Sequence, residues 1–242
     1  MEIDREDIIA KIRTAIDDIV PTAADSFTDD TDAELWQATW HAVQALLMEL
    51  PLDMLLPASM LPLNPTNPTP PNDPTPPYQI TNADGSGSIV LSDDFLRFVS
   101  LQLSTWLRPV TELMEPGSNE ALSQTSKWGR GTPEKPRAML DYGTDGSLIL
   151  RYWTAGKSNG AYVHTVSILN YIPKAQLNNG EEAPFSSETS EEQTSSETSE
   201  ETTETITCAL KDIAQPLVIN HAAAIFFEGK KEPEIAEKFR NM

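Results

Sequence analysis

Residues 57–77 hold nine prolines, and that density limits how the rest of the chain can fold. Each proline fixes its φ and removes a backbone donor, so the stretch can run through neither a helix interior nor a central strand. It favours an extended conformation of roughly 60 Å if fully drawn out. We read it as an insertion, either a stiff strap along a partner or a ligand for a proline-binding groove, although its Asn-Pro and Thr-Pro repeats lack flanking arginines. A second interruption carries Ser-Ser-Glu-Thr-Ser-Glu-Glu at 186–192 and again at 195–201. A polar, acidic repeat has nothing to bury and does not offset its chain entropy, so 176–204 is expected to be an acidic, disordered loop. That loop is solvated, or it mimics nucleic acid for a basic partner. Folded structure is therefore expected in 1–56, 78–175 and 205–242.

The two outer segments read as helices. Ile8, Ile9, Ile12, Ile16, Ile19 and Val20 recur three or four apart, with Asp7, Lys11, Asp17 and Asp18 on the other side and Pro21 ending the pattern. Thr31-Asp32-Ala33-Glu34 has the spacing of a capping box. Leu35, Trp36, Thr39, Trp40, Val43, Leu46, Leu47 and Leu50 then supply a broad buried face before Pro51. From Ile206 to Glu228 the sequence is apolar nearly all round, with Leu210, Ile213, Leu217, Val218, Ala222, Ile225 and Phe226 as core candidates. Pro216 predicts a kink or a new helix start there, and Gly229 a carboxy-terminal cap. Pro233 opens a last short helix carrying Ile235, Ala236 and Phe239. Both chain ends together predict a small helical bundle.

The middle is different. Tyr78–Ile80, Ile89–Leu91, Phe98–Trp106, Arg137–Asp141, Leu148–Trp153 and Tyr162–Tyr171 are strand candidates, with a helical piece near Ser118–Lys127. Asp145-Gly146 marks a hairpin turn. Helices from both ends around strand-rich sequence predict an α+β protein, a bundle with an inserted antiparallel β subdomain.

The net charge is -20, of which the nine glutamates of 181–204 account for a large part; without them the chain still carries -11. That balance argues against unassisted binding to DNA or an anionic membrane, which needs clustered cations. No apolar run approaches the ~18 residues of a membrane span, and the start Met1-Glu2-Ile3-Asp4-Arg5 lacks the layout of a signal peptide. The one cysteine, Cys208, makes no internal disulfide and reads as a buried thiol, consistent with assembly in a reducing cytosol.

Chemistry-bearing patterns are few. His41, His164 and His221 are far apart and lack zinc-site spacing; His41 and His221 read as core or interface residues and His164 as outward-pointing. Gly85 and Gly87 make no phosphate loop. Asp29, Asp30 and Asp32 lack the glycine and closing glutamate of a calcium loop. We expect no catalytic residue, metal or cofactor. One dense basic stretch, 127–137, carries Trp128, Arg130, Lys135 and Arg137 in an otherwise acidic chain. It is a plain surface loop, or one touching an acidic partner or DNA.

Ile89–Val110 combines a cap at Ser92, Asp93 and Asp94, a short helical turn at Phe95-Leu96-Arg97, an alternating strand through Val99, Leu101 and Leu103, and Trp106 ahead of Arg108-Pro109. With the later loop Arg130-Gly131-Thr132-Pro133, this run resembles the head-to-tail connector (portal adaptor or neck ring) proteins of tailed bacteriophages. The resemblance spans roughly two thirds of the chain and rests on modest motifs, none a chemical signature. It implies a structural virion protein in the neck, assembled in the host cytoplasm as a ring of about twelve copies. Its partners would be the portal protein and the next tail or neck ring, with DNA passing through without sequence-specific binding and no membrane involved. Carried onto this chain, the portal-binding end would be Lys230, Lys231, Lys238 and Arg240, with Phe239 as apolar anchor. The alternatives are a more distal neck ring, or a non-enzymatic protein-binding module with stiff and disordered linkers.

Overall fold

The structure, a computed structural model, describes residues 1–20, 29–60, 78–82, 86–126, 128–144, 146–154, 167–178 and 204–242. The expectations placed on 61–77, on 179–203 and on Lys127, Asp145 and His164 lie outside the described residues. In chain order the elements are β1 (Glu2–Asp4), α1 (Arg5–Ile19), α2 (Asp29–Glu49), β2 (Ala58–Met60), β3 (Tyr78–Thr81), β4 (Gly87–Val90), β5 (Phe95–Leu103), α3 (Asn119–Ser123), β6 (Arg137–Tyr142), β7 (Leu148–Trp153), β8 (Ser167–Pro173), β9 (Gln176–Asn178), β10 (Thr205–Thr207), α4 (Gln215–Gly229) and α5 (Pro233–Arg240). All the sheets are antiparallel, and the class is α+β. Two units divide the chain, Met1–Leu56 with Lys174–Met242, and Pro57–Pro173.

The first unit is a bundle built on α4, which packs against α1, α2 and α5. Asp4 caps α1 by accepting from the Asp7 amide at 3.0 Å, and Ile8, Ile9, Ile12 and Ile16 form its buried stripe. Helix α2 starts at Asp29, before the expected cap at Thr31, and Asp32 forms an ion pair with Arg13 of α1. The apolar run 206–228 is not one helix. Thr205–Thr207 is a strand, Asp212–Ala214 a 3-10 turn, and Pro216 stands in the first turn of α4, where its missing N–H costs nothing. Ile213 therefore lies in the 3-10 turn and outside α4. Ile213, expected in the core, is 71% exposed, and Leu217 and Ile225 are only half-buried.

A three-stranded sheet, β1-β10-β9, closes this unit. Ile3 lies opposite Ile206, both buried, and Leu177 lies on the other side. Residues 176–178, expected in the acidic loop, are thus paired strand, and three-residue strands are too short to show a period of two.

In the second unit, β2-β8-β5 and β3-β4-β7-β6 share one core, made of Ile89, Leu91, Leu150 and Tyr152 with Phe95, Leu101, Leu103, Leu169 and Tyr171. Ala58–Met60, expected in the proline strap, pairs with β8. Trp106 anchors this core edge-on to Tyr152, centroids 6.0 Å apart. The Tyr152 hydroxyl accepts from buried Gln79 at 2.6 Å. A Cβ at Gly87 would sit 2.3 Å from that same hydroxyl and from the Ile80 carbonyl oxygen, so only glycine fits there.

Phe95-Leu96-Arg97 is strand, not the expected helical turn. The Asp94 carboxylate caps no helix; it accepts from the Ser92 hydroxyl and from Tyr171 at 2.6 Å. Phe95 meanwhile stacks on the Tyr171 ring at 5.6 Å. A partner 77 residues along the chain thus recruits the carboxylate that local sequence offered to a cap. Two register shifts between β5 and β8 break the strict alternation, which leaves Val99 half-buried while Leu101 and Leu103 are fully buried. The helical piece after Ser118 is one short helix, α3, capped by Ser118 accepting from Ala121 at 3.2 Å.

Burial first, and then the bond to Asp94, push the Tyr171 phenol from 10.0 up to about 12. The neutral phenol is the form the fold holds, so its contribution to stability is complete below pH 10 and is lost as pH rises towards about 12. Denaturant melts across that window should show a steeper fall for the wild type than for Tyr171→Phe; equal slopes would remove the Asp94 contact from the stability of this unit.

Candidate partner-binding surfaces

The carboxy-terminal cations stand on a turn that the backbone defines closely. Helix α4 ends at Gly229, and the residue that enters the left-handed region is Lys231, at φ 63°, not the expected glycine. The Lys230 amide donates to Phe226 O at 3.1 Å and the Glu232 amide to Phe227 O at 2.9 Å, satisfying the last carbonyls of α4. Lys230 pairs with Glu34 of α2 and lies 5.3 Å from the Phe226 ring centroid. Arg240 pairs with Glu228 at 2.5 Å. Exposed Lys231 and Lys238 make no ion pair with the described residues.

Phe239 corrects the expectation of an exposed anchor. It is 1% exposed and stacks on Phe227, centroids 5.7 Å apart and planes 11° from parallel. Its role is to hold α5 on α4, with Ala236 buried beside it on the helix and the cations on the outside.

The second surface is the loop after α3, organised by Gln124, which is 1% exposed. Its amide nitrogen donates to Glu120 O at 3.0 Å and Gly129 O at 3.1 Å, and its amide oxygen accepts from the Gly131 N–H at 2.8 Å. Arg130 Nε donates to the Gln124 carbonyl at 3.0 Å. A Cβ at Gly129 would lie 2.5 Å from the Ser123 carbonyl oxygen, so the turn closes only with glycine there. From this pinned base Trp128 projects at 94% exposure. Beyond it, Arg108, Lys135 and Arg137 line a polar groove of about 330 Å³, with Arg137 paired to Glu120 and Arg108 donating to Glu134 O. Sequence reading named Trp128, Arg130, Lys135 and Arg137 but missed Gln124, since a lone glutamine after a short helix carries no pattern.

A third feature went unread. Along α1, Ala10, Thr14 and Ala15 face Pro216 and Ile219 of α4 across an open groove of about 430 Å³ with Asp7 and Asp18 at its rim. Its sequence signal is small residues at 10 and 14, one helical turn apart on the polar side of the helix. His41, read as a core or interface residue, is exposed and lines a smaller groove with Ala38, Ile225 and Phe226, while His221 is half-buried. Cys208 is buried, as expected, and burial pushes its thiol up, away from reactivity. Among the described residues there is no group of three or more His, Cys, Asp or Glu side chains placed to hold a metal ion. None of the described helices is long and apolar enough to cross a membrane.

No known family model matches the chain, and no curated protein is similar to it at a significant level.

Replacing Phe239 by Ala should cost about 3–5 kcal/mol, because it empties the α4–α5 interface; urea unfolding of the full chain reads this, and a loss within error of zero would mean α5 is not held by that ring. Lys231→Gly should raise stability by about 1 kcal/mol, since glycine adopts the left-handed conformation without a Cβ clash. An unchanged or lower urea midpoint would show that the turn does not strain Lys231.

Proposed function

We propose that this chain is a structural, non-enzymatic component of a tailed-bacteriophage neck, forming a connector ring between portal and tail that walls the DNA passage. The observation that carries this reading is a pair of lysines, at the end of an acidic chain, that make no ion pair with the described residues. Lys231, in the turn between α4 and α5, and Lys238, on α5, are exposed without an ion pair among the described residues, in a segment that also exposes Glu232, Glu234 and Glu237; Phe239 fixes α5 to the bundle. Such a face favours a carboxylate-lined partner, here the portal. The resemblance motifs also form one construction: the Leu107 amide donates to Pro133 O at 2.9 Å, and Arg108 to Glu134 O, so Trp106-Leu107-Arg108 and the 130–136 loop are joined. DNA would pass a wall without being read, because base readout needs side chains docked into a groove.

A protein-binding module outside a virion is the second reading, favoured by the 94% exposure of Trp128. Native mass spectrometry of the chain with the portal ring of the same genome separates the two. The neck reading expects about one added protomer per portal subunit, and expects Lys231→Glu with Lys238→Glu to abolish that gain while leaving the far-ultraviolet circular dichroism unchanged. No gain with the wild type removes the portal as partner and leaves a more distal ring or the binding module.

A further inference from the structure

We propose that the chain associates head to tail with a second copy of itself, Trp128 of one copy entering the α1–α4 groove of the next. The proposal rests on the ring reading and gives it a specific contact. Three observations point to it. First, Trp128 is 94% exposed at the tip of a turn whose base is tightly bonded through Gln124. An aromatic ring presented from a pre-organised base loses little conformational freedom on docking, which is the character of an interface anchor. Second, the groove of Ala10, Thr14, Ala15, Pro216 and Ile219 is an open depression of about 430 Å³, wide enough for an indole to lie in, and its small side chains let a neighbour approach the helix closely.

Third, the charges are complementary. The loop continues from Trp128 into Arg130, Lys135 and Arg137, with Arg108 beside them; Arg137 is paired with Glu120 and Glu112 shares the groove, so the exposed cations of the patch that make no ion pair with the described residues are Arg108 and Lys135. The groove is rimmed by Asp7 and Asp18, with exposed Glu6 and Asp17 on the same helix. Lys11, the cation of this face, is paired with Asp7 at 2.6 Å. At a net charge of -20, two copies repel unless a cationic patch of one meets an acidic patch of the other. Because knob and groove are different surfaces, the contact is heterologous, the kind that propagates into a ring or a filament rather than stopping at a two-fold dimer.

Ala10 and Trp128 are both exposed, so Trp128→Ala and Ala10→Arg each leave the fold intact. Sedimentation velocity of the full chain across a concentration series should show self-association that weakens with added salt. Each variant alone should lose at least about 30-fold in association constant, the effect of one interface anchor. Mixed, the two variants should form a 1:1 dimer and nothing larger, because the Ala10→Arg copy keeps its Trp128 and the Trp128→Ala copy keeps its groove. A wild type that stays monomeric, variants that associate like the wild type, or a mixture that stays monomeric would each overturn the contact. Adding both variants separately to portal rings reads the connector reading on its own: normal loading by variants that fail to self-associate, or that associate normally, leaves it standing whichever way the knob and groove are decided.

Discussion

The pairing of Ile3 with Ile206 closes the first unit, and the rest of that unit depends on it. Both side chains are buried, the Arg5 amide donates to Glu204 O at 3.1 Å, and Arg5 pairs with Glu204 at 2.9 Å, so one short ladder ties α1 to the segment that leads into α4. Closing so long a stretch costs entropy that grows only slowly with length, about 0.6 kcal/mol per doubling. A whole β unit and two low-complexity segments can therefore lie inside the loop for little more than a short connection would cost. Helix α4 then supplies the burial that holds the closed unit, since α1, α2 and α5 each pack on it.

Partner-facing chemistry follows from how each unit uses its aromatic residues. Phe226, Phe227 and Phe239 are spent inside the bundle, which leaves Glu234, Glu237, Lys238 and Arg240 on the outside of α5. Trp106 and Tyr152 likewise fill the β core, whereas Trp128 is held out in solvent by a glutamine-centred turn. The two candidate surfaces are therefore opposite in kind, one a charged helix end and the other an exposed ring on a loop that leads to a polar groove.

Much of the fold was legible because it is periodic. The stripe Ile8, Ile9, Ile12, Ile16 is the buried face of α1, and Leu148–Trp153 is β7 to the residue. What escaped was decided by distant partners or by phase. Asp94 looked like a helix cap until Tyr171 took its carboxylate. Ile213 looked like core because the 206–228 run is apolar on all sides, but it falls in the 3-10 turn ahead of α4, which buries Ala214 instead. Phe239 among cations looked like an exposed anchor, yet it lies on the one face of α5 that meets Phe227.

By itself the sequence determined the α+β class, the presence of the periodic helices and strands, and the concentration of cations in 127–137, because these are properties of local order and composition. Only the tertiary structure decided that the two ends share a sheet, that Gln124 presents Trp128, that Phe239 is interior, and that Ala10 and Thr14 border a groove with α4. Each of these depends on which of several similar faces meets a partner far along the chain, and packing energy makes that choice where local pattern is silent.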